Sequence, residues 1–142
     1  MGASDSGTCS ICDRVAAALS ADEAIYEDDS WVMIASADRP GWTVLAARRH
    51  CDWAWGMDDV TQATFGLALA KVTAAIRDTV PAEKVYVLGF GEGTMHFHVL
   101  MMPGITEMNA AMRSAMSTFG TPLNDAAGAA DARARMRKQL QP

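Results

Sequence analysis

The run GFGEGTMHFHVLMMPG, residues 89–104, sets two of the chain's three histidines inside an otherwise apolar stretch. A strand sends alternate side chains to one face, so His96, His98 and Leu100 share a face while Phe97, Val99 and Met101 take the other. A lone histidine in such a place is most often a satisfied core residue. Two on one face, preceded by glycines that let another group approach closely, point to a site. The same glycines read equally as a hairpin turn, and GFGEG is too irregular for a dinucleotide loop.

Working outward, KVYVLGF reads as the strand before this one, antiparallel to it across the glycine-rich connection. Upstream, Asp58 to Thr79 is a long helix: acidic residues open it, Phe65, Leu69, Val72 and Ile76 recur at helical spacing, and Pro81 stands just beyond. WVMIAS and WTVLAA read as a hairpin bent at ADRPG. The second of these strands runs on to the third histidine, His50, at the end of TVLAARRH. CDRVAAALS forms a short helix near the start. MNAAMRSAMSTF and DAAGAADARARMRKQL supply one or two more after residue 105, the last of them soluble and frayed. No repeat or linker divides the 142 residues, which suffice for one domain with its core between about residues 9 and 103.

Half the residues are apolar, and 12 Lys and Arg stand against 17 Asp and Glu, a net charge of −5. That balance argues against a general nucleic-acid or anionic-membrane surface. The start MGASDSGTCSICDR lacks the charge and apolar core of a secretory signal, and no apolar run approaches the ~18 residues of a membrane span, so a cytoplasmic location is expected. Three cysteines are an odd number, and Cys9 and Cys12 in CSIC are too close for a long-loop staple. Metal binding and redox chemistry are the readings left for that pair. Trp31 and Trp42 belong to strands and to the core, whereas Trp53 and Trp55 follow His50 closely and suit a pocket wall or a dimer face.

These features together resemble the histidine-triad superfamily: HFHVLMMP on the last core strand, CxxC near the start, a histidine closing a strand after a Pro-Gly turn, and a long helix between. The resemblance covers about Cys9 to Pro103 and implies an α+β domain, with an antiparallel sheet of about five strands and the long helix packed on it. The family signature is His-φ-His-φ-His-φ-φ, often followed by proline. Its proline three residues past the third histidine position corresponds to Pro103, and its glycine five before the first corresponds to Gly91. By that register His96 is the first triad member, His98 the middle nucleophile, and Leu100 stands where the third would be.

The resemblance to CxxC-containing members implies a zinc ion on Cys9, Cys12, His50 and His96. Two thiolates and two imidazoles suit a closed tetrahedral zinc site. Cys51 remains a buried thiol or a spare ligand. The resemblance further implies a small-molecule substrate, nucleotide-type or otherwise phosphorylated, attacked by His98 at phosphorus. Gly91, Glu92, Gly93 and Thr94 would bind it, with Leu100 lining the site, and two copies would pair as a homodimer. Four positions depart from the family pattern: Leu100, Glu92–Gly93 in place of Gln-Ser, Tyr86 in place of Asn, and no ribose-binding acid closer than the displaced Asp38. A zinc-dependent enzyme of different chemistry, such as a lyase or hydrolase, or a noncatalytic zinc-stabilised binding protein are the alternatives.

Overall fold

The computed structural model describes residues 9–105 and 125–142. Five antiparallel strands form one sheet in the order β1-β2-β3-β5-β4: β1 Tyr26–Glu27, β2 Trp31–Ala35, β3 Thr43–Ala47, β4 Val85–Leu88 and β5 His98–Pro103. The hairpin expected around ADRPG is present, with Trp31 opposite Ala47 and Ala35 opposite Thr43. Its turn needs Gly41, whose φ is +78°, and a Cβ there would stand 3.0 Å from the ring of Pro103. β5 lies between β3 and β4, so the histidine-bearing strand is internal to the sheet.

Every residue of β3 is buried because both sheet faces are covered. On one face Trp31, Met33, Leu45, Ala47, Val99 and Met101 meet α2, Asp59–Thr79, through Ala68, Val72, Ala75 and Ile76. On the other, Val32, Ile34, Val44 and Ala46 meet α1, Ser10–Ser20, through Ile11 and Val15, one turn apart. Trp31 and Trp42 are core residues, as expected. α2 starts and stops where its sequence signals lie: the Asp58 carboxylate accepts from Thr61 N–H at 2.8 Å, and the last bond runs from Val80 N–H to Ile76 C=O, before Pro81.

Three expectations change. α1 begins at Ser10, two residues earlier than the apolar pattern suggests, because Cys9 caps it: its Sγ accepts from Cys12 N–H at 3.3 Å. β5 begins at His98, not ahead of His96, because the next rung with Ala47 of β3 is only half made. Phe97 N–H donates to Cys51 C=O at 2.7 Å, and its carbonyl accepts from Ala47 N–H at 3.1 Å. The last helix, α3 at Ala126–Leu140, is not a frayed end: it is continuous and buries Ala129, Ala132 and Met136 on the α2 side of the sheet. The helix expected over MNAAMRSAMSTF lies outside the described residues.

Candidate functional site

Cys9, Cys12, His50 and His96 come from three separate parts of the fold, and their ligating atoms all lie within 4.8 Å of one another. α1 supplies the two sulfurs, from its cap and first turn; His50 follows β3, and His96 precedes β5. His96 Nδ1 is 3.3 Å from both Cys9 Sγ and Cys12 Sγ, and His50 Nδ1 is 3.4 Å from Cys12 Sγ. A zinc with bonds of about 2.3 Å to sulfur and about 2.0 Å to nitrogen implies S···N edges of about 3.6 Å in a tetrahedron. The four donors therefore fit zinc.

The far side of each ring supports the same fit. His96 Nε2–H donates to Ala47 C=O at 2.8 Å, and His50 Nε2–H donates to Asp52 Oδ1 at 3.2 Å. Each bond holds its ring in the tautomer that leaves Nδ1 bare toward the sulfurs. Burial is the main cause that lowers the His96 pKa, aided by repulsion from His50 and His98, so its imidazole is a neutral donor. The Cys12 thiol is pushed up to about 11, by burial first and then by its bond to Cys9 and that residue's charge. A metal ion between the sulfurs would offset this penalty on the Cys12 thiolate. Cys51 is buried but stands outside the four-donor group; burial raises its pKa, and the carbonyl of the same residue anchors Phe97.

Although His96 lies ahead of the strand, His98 remains on the α1 side of the sheet, opposite Ala46. It is half-buried, and its Nδ1–H donates to the His96 carbonyl at 2.5 Å, which leaves the lone pair on Nε2. Leu100 follows on the same face, between Val44 and Leu88, and packs with Trp42, Tyr86 and Met102.

The loop before His96 is held at both ends. Gly91, at φ +69°, sits on the indole of Trp53, where an added Cβ would come within 3.0 Å of the ring. Thr94 Oγ1 is 2.7 Å from Ser10 Oγ in the first turn of α1. Glu92 and Gly93, between these anchors, are exposed. Trp53 also packs edge-on against Phe97, while Trp55 is 79% exposed. Asp38 is exposed in the β2–β3 turn, at the end of the hairpin away from His98, and Tyr86 carries the Lys84 ammonium 4.9 Å from its ring. Sequence reasoning missed Asp52, Ser10 and the seat on Trp53; of these only Asp52, two residues past a proposed ligand, left a signal to find.

No family model matches the sequence, and no curated protein matches it. Solved structures do. A histidine triad protein of Bradyrhizobium japonicum superposes with a TM-score of 0.69 at 19% identity, over 83% of this chain and 90% of that one. The chain has the histidine-triad fold. A hypothetical histidine triad nucleotide-binding protein of Sulfolobus tokodaii shares it at a TM-score of 0.65 and 17% identity, over 89% and 90% of the two chains. A zinc-bound histidine triad family protein of Mycobacterium smegmatis does so at 0.63 and 19%, over 96% and 95%. In this fold His96 stands just ahead of β5, while His98 and Leu100 lie on it.

Proposed function

We propose that the protein is a hydrolase or transferase acting on a nucleotide-type or other phosphorylated small molecule, with His98 as nucleophile. The observation that carries this reading is the bond from His98 Nδ1–H to the His96 carbonyl, which turns Nε2 away from that carbonyl as the ring atom open to attack phosphorus. The exposed loop from Gly91 to Thr94 supplies backbone N–H groups for phosphate oxygens. The nucleotide-binding name of the Sulfolobus tokodaii neighbour supports a nucleotide among the candidate substrates.

Zinc on Cys9, Cys12, His50 and His96 belongs to the same reading, and the zinc-bound neighbour supports it. Four protein donors complete a tetrahedron, which favours a structural ion over a metal-dependent reaction. When bound, the ion would tie α1 to both ends of the chain segment between β3 and β5. Reduced thiolate ligands suit the cytoplasm. Among the described residues no helix is long and apolar enough to cross a membrane.

Two copies would pair through α2 and the edge strand β4. Leu67 is 72% exposed on α2, and a groove of about 510 Å³ separates Leu69, Ala70 and Thr73 of α2 from Val85 and Val87 of β4.

The test is turnover of adenosine 5′-phosphate esters and anhydrides by wild type and by His98→Asn, with zinc content and Tm recorded beside it. Turnover should vanish in the variant while both other measures hold. Equal turnover would remove His98 from the chemistry.

A further inference from the structure

We infer that the His98 site acts on substrates whose departing group leaves as a weakly basic anion, such as the phosphate of an anhydride, the carboxylate of an acyl phosphate or an acidic phenolate, and not on those that must expel an amine or an alkoxide. This rests on the reading of His98 as nucleophile and follows from what surrounds it. Its neighbour across on β3 is Ala46, the next residue on its own face is Leu100, and Leu100 is flanked by Val44 and Leu88. None of these carries a proton to give.

The remaining donors nearby are committed or distant. His96 and His50 turn Nδ1 to the sulfurs and give Nε2–H to Ala47 and Asp52, so neither can protonate a departing group without leaving the four-donor cluster. The hydroxyls of Ser10 and Thr94 are bonded to each other, which uses one of their two protons, and an aliphatic hydroxyl is far too weak an acid to meet the pKa that a general acid needs near neutral pH. Tyr86 is on the same sheet face and belongs to the cluster that Leu100 packs against, but it pairs with Met102, so its backbone lies four residues along β5 from His98, roughly 13 Å at about 3.3 Å per residue. Among the described residues that leaves Glu92, exposed on the loop, as the acid to control for.

The chemistry balances without an acid only for good leaving groups. The Nε2 lone pair forms an N–P bond while the P–O bond breaks, and its electron pair departs on oxygen. The charge gained by the imidazole is shared through Nδ1–H with the His96 carbonyl. Water then adds to phosphorus and gives its proton to solvent, and the N–P pair returns to Nε2. With an amine the breaking P–N pair would leave on nitrogen as a strongly basic anion, which requires a proton at that moment.

The experiment measures kcat/KM for a series of aryl esters of adenosine 5′-monophosphate, from nitrophenyl to phenyl, together with an alkylamine phosphoramidate. From the first ester to the phosphoramidate the value should fall by about 10²–10⁴-fold, the span a positioned general acid supplies, and Leu100→His should raise the phosphoramidate rate and flatten the series. A flat series in the wild type overturns the inference and leaves the nucleophile standing. So does an acid limb in the pH profile that Glu92→Gln removes. Absence of turnover across the whole series, or a full series from His98→Asn, overturns the nucleophile reading and this inference with it.

Discussion

His96 and His98 are two residues apart and do different work because each ring is held by a different carbonyl. His96 gives Nε2–H to Ala47 and offers Nδ1 to the sulfurs; His98 gives Nδ1–H to His96 and offers Nε2 to whatever occupies the site. His96→Asn should therefore lose zinc and thermal stability together, the reverse of the His98→Asn outcome, as metal analysis and a melting curve on the two proteins would show. If His98→Asn were the one to shed zinc, the ligand and nucleophile assignments would both be wrong. Asp52 orients His50 from outside the donor set, and partners of that kind tune affinity without setting ligand number. Asp52→Ala should weaken zinc binding by about 10–100-fold in competition with a chromophoric chelator; unchanged affinity would make Asp52 a bystander. The ligand residue types were legible in CxxC and two histidines, but the nitrogen each ring offers depends on carbonyls distant in sequence.

At the scale of elements, α1 is short and small-residue-rich, and its first turn is held by sulfur atoms at two positions. Short isolated helices are marginal in water, so α1 depends on its contacts with the sheet and on its anchored start. Cys9→Ser, or removal of metal by a chelator, should lower Tm and speed amide exchange in residues 10–20 more than in α2, measured by exchange mass spectrometry. Uniform protection in both states would disconnect the four-donor cluster from α1. α2 carries its own cap. Backbone and side-chain bonds from Thr61, followed by Arg49, hold the Asp58 carboxyl below the usual carboxylate range. Because its folded pKa is the lower one, its stabilising effect is complete above the unfolded value of about 4 and is lost as pH falls through the folded value. Asp58→Asn should accordingly show a shallower loss of Tm than wild type on acidification; parallel curves would rule out the cap as the source.

For the whole molecule, the sheet has two edges of unequal character. β1 is two residues long and leaves little backbone to pair, whereas β4 presents four residues beside the exposed stripe of α2. If two copies meet there, Leu67→Glu places a charge in a buried apolar interface, and sedimentation should show the mass shift from dimer to monomer with zinc content unchanged. A wild-type monomer at the same concentration would dispose of the pairing. α3 packs against α2, burying Ala129, Ala132 and Met136, and Gln139 donates to Asp78 at 3.1 Å.

The sequence by itself determined the local elements and the donor chemistry. Two short apolar runs on either side of a Pro-Gly turn marked the β2–β3 hairpin, an acidic cap and a terminal proline bounded α2, and two thiols with two imidazoles left a narrow choice of ligand. Tertiary structure decided the rest through contacts that no local window contains. β5 starts at His98 because Cys51 takes the Phe97 N–H and His96 the Ala47 carbonyl, and α1 starts at Ser10 because Cys9 finds both the Cys12 amide and His96. The alanine stripe of α3 becomes core only once α2 lies against it, since small side chains bury little area alone and count by letting backbones approach. Leu100 has meaning for the same reason: only the register shows that the residues paired with His98 and Leu100, which are Ala46, Val44 and Leu88, carry no proton donor in place of the one leucine lacks.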